Sequence, residues 1–166
     1  MEAARRATTA DLEHLVGLAT RLRTELAEER GGPLWALREA VADPGARFAE
    51  LLTDPHACVV VGTIDGIPVG YATAVIEPLR DGSRLGIIEE CFTEPGARAV
   101  GVGEAMLDTV VGFCSAAGCG GIDATALPGH REAKNFFERA GFTARRLVMH
   151  QPLGPASGPG PGIGPG

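Results

Sequence analysis

The sequence predicts an α/β fold in which helices flank a central sheet, and three observations support this prediction. Several stretches carry apolar residues at helical spacing, and several shorter runs are rich in β-branched residues. These elements follow one another as a strand, two helices, three strands, a helix, a strand, a helix and a last strand. The chain has 166 residues, 45% of them apolar, which suits one domain with a sizeable core.

The N-terminal part of the chain is predicted to form a short strand and then two helical stretches. Residues 2–7 form the strand, and Thr8 caps a helix that carries Asp11 near its free N–H groups. Gly31-Gly32-Pro33 ends this helix, and a second helical stretch, interrupted once, covers residues 34–52. The apolar positions of the first helix are Leu12, Leu15, Ala19, Leu22 and Leu26.

Three strands are predicted in the middle of the chain. Residues 57–64 and 67–76 are both rich in apolar and β-branched residues. Asp65-Gly66 lies between them and favours a hairpin, because both positions tolerate positive φ. A second turn leads to the third strand, residues 84–93, so the middle of the chain is expected to form a meander.

The C-terminal part is predicted to alternate between helix and strand. The first helix ends near Gly118, and a short strand follows at residues 121–125. The second helix covers residues 130–140, with Gly141 just past its end, and residues 142–151 form the last strand. The inner face of the first of these helices carries Val102, Met106, Leu107, Val110, Phe113 and Cys114.

The last fifteen residues have a different composition from the rest of the chain. Eleven of the residues 152–166 are glycine or proline. Such a segment cannot bury enough apolar area to offset its ordering entropy. We therefore expect one domain over residues 1–151 and a disordered tail over residues 152–166.

Charge and cysteine content argue against several classes of partner. The net charge of −6 and the lack of any Lys/Arg cluster disfavour nucleic acid. No run of about 18 apolar residues is present, so no membrane partner is expected. The four cysteines lack a zinc-type spacing, which favours free thiols and no metal. No secretion signal is recognised, and a cytoplasmic location is expected.

The stretch Arg98-Ala99-Val100-Gly101-Val102-Gly103 precedes a helix and favours an anion site. The first N–H groups of a helix lack partners, and glycine lets an anion approach the backbone. A diphosphate is the natural ligand, with Arg98 adding charge. A dinucleotide fingerprint would need glycine where Met106 stands, and a Walker loop would need Gly-Lys-Ser/Thr. A purely structural turn stays open at this point.

The chain resembles the GNAT superfamily of acetyl-CoA-dependent N-acetyltransferases over about residues 2–151. The family signature is Arg or Gln, two residues, Gly, one residue and Gly or Ala, and residues 98–103 match it. The strand IIEECFTEP before it is similar to the family's fourth strand. HREAKNFFERAGF, from His130, is similar to the late motif Asn-x-x-Ala-x-x-Phe-Tyr-Glu-x-x-Gly-Phe. The resemblance implies the GNAT fold, a mixed, mostly antiparallel sheet of about six or seven strands with about four helices.

The resemblance also implies a cofactor site and its chemistry. The backbone of residues 98–103 would hold the pyrophosphate of acetyl-CoA. In the family the fourth strand splays from the fifth, and its free backbone groups bind pantetheine and polarise the thioester, which allows direct attack by an amine. The implied cofactor-binding set is Cys91, Phe92, Thr93, Arg98, Ala99, Val100, Gly101, Val102, Gly103, His130 and Phe137.

Glu89 is the candidate catalytic base or amine anchor. Neighbouring residues of a strand point to opposite faces, so Glu89 is expected to share a face with Ile87, Cys91 and Thr93, away from Glu90. Polyamine acetyltransferases of the family carry paired acidic residues at this offset, and the first member lines the amine site. A solvated strand carboxylate is the alternative interpretation of Glu89, and a surface or salt-bridge role is favoured for Glu90.

Two positions depart from the family pattern. Phe137 replaces the tyrosine that often protonates the leaving thiolate, and His130 replaces the asparagine that contacts the cofactor. The predicted function is transfer of an acetyl group to the primary amine of a small molecule or peptide. The departures motivate an alternative, a sensor that binds CoA or acyl-CoA, or a degenerate member without transfer activity. Dimerisation is common in the family, and a homodimer stays open.

Overall fold

The computed structural model describes residues 1–154, which form a five-stranded sheet with helices on both faces. Within this range the sheet has fewer strands than the predicted six or seven. The strands are β1 (Glu2–Arg6), β2 (Ala57–Ile64), β3 (Ile67–Pro78), β4 (Arg84–Thr93) and β5 (Gly121–Ala124). The helices are α1 (Leu12–Ala27), α2 (Gly32–Arg38), α3 (Pro44–Thr53), α4 (Val102–Ala116) and α5 (Arg131–Arg139).

The sheet is mixed and mostly antiparallel, as predicted. Its strand order is β1-β2-β3-β4-β5, and the first three pairings are antiparallel. β4 and β5 pair in parallel, which requires a crossover, and α4 supplies it. The antiparallel pairing therefore ends at β4, and β5 is the one strand that joins the sheet through a helical crossover instead of a turn.

Each face of the sheet has its own apolar core. On the α1/α3 face, α1 and α3 pack over β2, β3 and β4, and the buried side chains include Leu15, Phe48 and Tyr71. On the α4 face, Met106 and other residues of α4 pack against Val60 and its neighbours in the sheet. These buried helical and strand positions follow the periodicities visible in the sequence.

Glycine in β2 and β3 lets α4 approach the sheet closely. A Cβ added at Gly62 would lie 2.7 Å from Met106 Sδ, and one at Gly70 would lie 3.0 Å from Met106 Cε. Side chains at these positions would collide with a fully buried helix residue. The close contact places the start of α4 directly beside the middle strands.

The predicted last strand, residues 142–151, is wrong for the structure described. These residues have no regular secondary structure, and Leu147, Val148 and Met149 are exposed. A strand needs a partner edge, and the neighbouring β5 has only four residues. Contact with β5 is made by side chains instead, through an ion pair between Arg145 and Asp123.

The helix count also differs from the predicted four. The helical stretch predicted over residues 34–52 is two separate helices, because Asp43 caps a new helix start with a hydrogen bond from the Ala46 N–H, 3.0 Å.

No helix of the described residues is long and apolar enough to cross a bilayer. The predicted tail lies almost wholly outside the described residues, so its disorder and the boundary at residue 151 stay predictions.

Asp11 is predicted to make the fold sensitive to acid. Its carboxylate accepts two hydrogen bonds from Arg5 (2.7 and 2.8 Å) and one from the Thr8 N–H. These contacts lower the pKa of Asp11 to about 2, and the hydrogen bond from Arg5 is the largest cause. The resulting stability is present above the unfolded pKa of about 3.8 and is lost as pH falls through the folded value. Asp11→Asn should therefore cost about 2 kcal/mol at pH 7 and nearly nothing at pH 2.

Urea unfolding at the two pH values measures this cost. Glu13→Gln, in the exposed first turn of α1, is the matched control. An equal loss of unfolding free energy at both pH values would contradict the assignment to the carboxylate charge.

Candidate active site

The edge of β4 is open beyond its middle. The parallel pairing with β5 starts at Leu85 and Gly121 and ends at Ile88 and Ala124. From there to Thr93, β4 pairs only with β3 among the described residues. Every second residue of this segment directs its backbone N–H and C=O to the open edge, where a ligand can form strand-like hydrogen bonds. Cys91, Phe92 and Thr93 belong to this segment, where the sequence places them.

The start of α4 presents free N–H groups next to that edge. Gly101 is the N-terminal cap with φ +92°, and the Ala105 N–H is the first to bond back, to the Gly101 carbonyl at 3.0 Å. No side chain of the described residues caps this end. The N–H groups of Val102, Gly103 and Glu104 therefore lack helical partners and carry the positive end of the helix dipole.

Space is available for an anion at this helix start. A Cβ built at Gly101 meets no atom within 4 Å, so the loop there is open. Ala99 also has a positive φ, +65°, which is uncommon for a residue with a side chain. The residues present thus fit a pyrophosphate held by backbone groups.

Gly103 has a different reason to be glycine. A Cβ there would lie 3.1 Å from the ring of Phe136 on α5. The second glycine of the motif therefore allows α5 to pack against the first turn of α4. Sequence spacing alone does not separate this packing role from ligand approach.

The guanidinium of Arg98 joins the loop to three other elements. Its Nε donates to the Thr93 carbonyl at 2.8 Å, and its Nη2 donates to both Glu25 oxygens at 2.7 and 2.9 Å. Its Nη1 donates to Glu132 at 2.9 Å, and His130 Nε2 lies 3.2 Å from the same Glu25. Arg98 and His130 are thus gathered around one carboxylate of α1, and the backbone remains the open part of the anion site.

A β-bulge puts both acidic residues of β4 on one face. Thr73 pairs with Glu90, whereas the next residue, Ala74, pairs with Ile88, so Glu89 is the extra residue. Glu89 and Glu90 therefore both point to the α1/α3 face and line one cavity. The expectation that they occupy opposite faces is wrong, because the bulge breaks the alternation on which it rests. The same break places Cys91 on the α4 face, away from Glu89.

The two carboxylates have different partners. Glu89 accepts hydrogen bonds at 2.6 and 3.3 Å from Arg47 of α3, so both of its oxygens are engaged. Glu90 accepts one hydrogen bond, 2.8 Å, from the hydroxyl of buried Tyr71. Burial raises the pKa of Glu90, and the Tyr71 hydrogen bond and the charge of Arg23 offset part of that rise. Glu90 is therefore the less occupied of the two carboxylates, with one oxygen free of hydrogen bonds among the described residues.

A water-sized cavity lies between these groups. Its volume is about 10 Å³, which is enough for roughly one water molecule. Thr73, Arg47 and Phe48 line it together with the two glutamates. Thr73 Oγ1 is buried and has no hydrogen-bond partner within the described residues, so a water there would satisfy it.

The remaining predicted residues lie in the two cores. Phe92 packs on the α1/α3 face, and Phe137 packs on the α4 face between Phe136 and Phe142, with ring centroids 5.2 Å from each. Burial raises the pKa of the Cys91 thiol to about 12, which leaves it an unreactive neutral group. Neither aromatic side chain carries a proton that it could give to a leaving group.

Sequence reasoning missed three side chains that the fold brings to this site, whereas it named Tyr71 as a candidate for the acceptor pocket. Arg23, Arg47 and Glu25 all contact or face the residues described above. Arg23 and Arg47 belong to helices that look like ordinary amphipathic helices in sequence. One signal was present: Arg23 lies between Leu22 and Leu26 at the border of the apolar stripe, where a charged side chain is half-buried.

Comparison with known proteins agrees with this geometry. The model of the acetyltransferase (GNAT) family matches residues 17–142, about three quarters of the chain. No curated protein matches the chain significantly.

Solved structures share the fold over almost the whole chain. A transcriptional regulator from Bacillus halodurans C-125 is 23% identical with a TM-score of 0.70, covering 92% of this chain and 100% of its own. AAC(6')-Iy with a bisubstrate analog of CoA and acetylneamine is 21% identical with a TM-score of 0.71, covering 92% and 99%. An acetyltransferase from Trypanosoma brucei is 22% identical with a TM-score of 0.64, covering 92% and 100%. At these identities the likeness shows the fold.

Proposed function

The chain belongs to the acetyltransferase (GNAT) family, and from this premise we propose that it is an N-acetyltransferase. It moves an acetyl group from acetyl-CoA to a primary amine of a small molecule or peptide. The coverage of the family match, residues 17–142, includes both the open edge of β4 and the start of α4. The solved structure of AAC(6')-Iy, an aminoglycoside N-acetyltransferase, in complex with CoA is consistent with this activity on the same fold.

One observation carries the proposal. β4 leaves β5 after Ile88, and the opened edge runs from the carboxylates at Glu89 and Glu90 to the loop that leads into α4. If the pantetheine of acetyl-CoA forms hydrogen bonds along this edge, its thioester lies near the two carboxylates, where the amine would bind. Its pyrophosphate then lies near the free N–H groups at the start of α4. Backbone groups of residues 91–93 and 98–103 would hold acetyl-CoA, and His130 and Phe137 stay predicted contacts of the same cofactor.

The reaction needs no protein nucleophile. The lone pair of the amine attacks the thioester carbonyl carbon, the C–N bond forms, and the C–S bond breaks to release the CoA thiolate. A backbone N–H at the β4 edge stabilises the negative charge that develops on the carbonyl oxygen. The amine gives up one proton to a carboxylate, directly or through the water-sized cavity.

Two carboxylates are candidates for that proton. Glu89 is the residue expected from the sequence, and its role as base or amine anchor stays a prediction. Glu90 has the better position, because only one of its oxygens is engaged while Arg47 holds both oxygens of Glu89. We assign proton transfer to Glu90. We assign to Glu89 a positioning role, in which it holds Arg47 and with it α3 against β4.

Phe137 favours one alternative, a protein that binds CoA or acyl-CoA without transfer. Its ring lies in the core and has no proton to give to the leaving thiolate. This alternative predicts saturable CoA binding and no transfer to any amine. Transfer is proposed instead because a thiolate leaves readily and can take its proton from water.

A binding and transfer assay tests the proposal. Titration with acetyl-CoA in a calorimeter should give saturable binding, and a thiol reagent should detect CoA release only when an accepted amine is present. Binding without release for polyamines, amino acids, aminoglycosides and peptides would favour the sensor. Absence of binding would overturn both readings.

A further inference from the structure

Glu25 holds two of the residues expected to contact acetyl-CoA, although it is not one of them. Its two oxygens accept hydrogen bonds from Arg98 Nη2 at 2.7 and 2.9 Å, and one of them lies 3.2 Å from His130 Nε2. Arg98 belongs to the loop between β4 and α4, and His130 is the residue just before α5. Glu25 therefore connects the segment that follows β4 to the segment that follows β5.

The position of Glu25 in α1 favours this tertiary role. Glu25 lies in the last turn of the helix, where the helix dipole is negative and a carboxylate is disfavoured. No basic residue occupies that turn, and the side chain of Glu25 is only 24% exposed. The rules of an isolated helix do not explain an acidic residue here, whereas the contact with Arg98 does.

The loop that carries Arg98 has few backbone contacts of its own. The N–H groups of residues 99–101 donate to no backbone carbonyl among the described residues. Ala99 has a φ of +65°, which is strained for a residue with a side chain. Such a conformation persists only where its surroundings determine it. The side chain of Arg98, the neighbour of Ala99, is the part of the loop that is tied to other elements.

The guanidinium of Arg98 is almost fully occupied. It makes four hydrogen bonds, to Glu25, Glu132 and the Thr93 carbonyl, and a guanidinium has five N–H donors. In this arrangement the side chain ties the loop to α1, α5 and the end of β4. The N–H groups at the start of α4, which no side chain of the described residues caps, are left to meet a ligand.

We infer that Glu25 is a positioning residue for acetyl-CoA. Through Arg98 it holds residues 94–101 in the conformation that keeps the start of α4 open to the pyrophosphate. The inference rests on the proposed binding of acetyl-CoA and adds to it a residue of α1 that touches no part of the cofactor. Its bidentate contact with Arg98 is of the strong, charge-assisted kind, which suits a role that depends on exact geometry.

Glu25→Gln and Glu132→Gln form a matched pair of variants. Both remove one negative charge beside Arg98, but Glu132 accepts a single hydrogen bond, 2.9 Å, and is 59% exposed. In calorimetry, Glu25→Gln should bind acetyl-CoA about 10-fold more weakly than the wild type, and Glu132→Gln should stay within about 3-fold of it. Equal affinities in the two variants, or tighter binding by Glu25→Gln, would overturn the inference alone. Failure of the wild type to bind acetyl-CoA would contradict the proposed function as well.

Arg98→Lys tests whether Glu25 acts through the planar guanidinium. Lysine keeps the charge and loses the bidentate geometry, so this variant should also bind acetyl-CoA about 10-fold more weakly. In the double variant with Glu25→Gln the two losses should not add, because the same contact is removed twice. With an accepted amine, each variant should raise KM for acetyl-CoA and leave kcat unchanged. Wild-type affinity in Arg98→Lys, or additive losses in the double variant, would overturn the route through Arg98.

Hydrogen exchange separates this local effect from a general loss of folding. The N–H groups of Glu94 and Ala97 are each hydrogen-bonded at 2.8 Å. In Glu25→Gln without ligand, they should exchange faster than in the wild type, whereas the N–H groups of β2 should exchange at the wild-type rate. Equally faster exchange in β2, or an unchanged rate in the loop, would overturn the positioning role.

Discussion

The Glu90→Gln variant is expected to transfer acetyl groups about 10²- to 10⁴-fold more slowly than the wild type, at unchanged affinity for acetyl-CoA. Glutamine has the shape of glutamate and can still accept the hydrogen bond from Tyr71. It cannot take a proton from the acceptor amine. The measurement is kcat from CoA release, with calorimetry for acetyl-CoA.

Glu89→Gln is the matched control for this loss. It lies one residue away on the same face, and its oxygens are held by Arg47. We expect a smaller loss of kcat, caused by a looser contact between β4 and α3. A larger loss in Glu89→Gln than in Glu90→Gln would contradict the assignment and return the catalytic role to Glu89, while an unchanged rate in Glu89→Gln would remove it from the mechanism.

The pH dependence of kcat/KM provides an independent check on Glu90. A base acts only when it is deprotonated, and burial raises the pKa of Glu90 above its ordinary 4.5. The rate of the wild type should therefore climb with pH through a limb that lies above the usual range of a glutamate. Glu90→Gln should lose this limb and keep only the one that belongs to the acceptor amine.

The parts of the fold that are determined by residues close to one another in the sequence were predictable. The Asp65-Gly66 turn and the apolar runs around it predict the β2–β3 hairpin, and the helical spacing from Val102 predicts α4. Both signals are local: the turn chemistry and the 3.6-residue period act within a few residues. The open helix start at Gly101 follows in the same way from a glycine before an apolar period.

The parts that depend on pairing partners were not predictable. The bulge at Glu89 is a property of the register between β3 and β4, and one inserted residue reverses the face of everything after it. Glu90 looked like a surface residue for that reason. The segment 142–151 has the composition of a strand, but β5 is too short to pair with it. A high strand propensity means that the side chains would suit a pleated sheet, but a strand forms only where another strand offers a free edge for pairing.

Gly101→Glu is expected to weaken acetyl-CoA binding by about 100-fold or more. The carboxylate would occupy the open space beside the free N–H groups of α4 and repel the pyrophosphate. The left-handed φ of +92° adds strain of about 1 kcal/mol or more for any residue with a side chain. Calorimetry measures the affinity, and urea unfolding measures the strain separately.

Gly118→Glu separates these two effects. Gly118 lies just past the other end of α4 with φ +74°, and a Cβ there also meets no atom within 4 Å. The two substitutions should therefore cost similar unfolding free energy, whereas only Gly101→Glu should lose acetyl-CoA. Equal affinities in the two variants would show that the pyrophosphate does not lie at the start of α4. Gly103→Ala tests the second glycine, because its added Cβ would press on Phe136. A lower free energy of unfolding with unchanged affinity for acetyl-CoA would mean that Gly103 serves only the packing of α5 on α4.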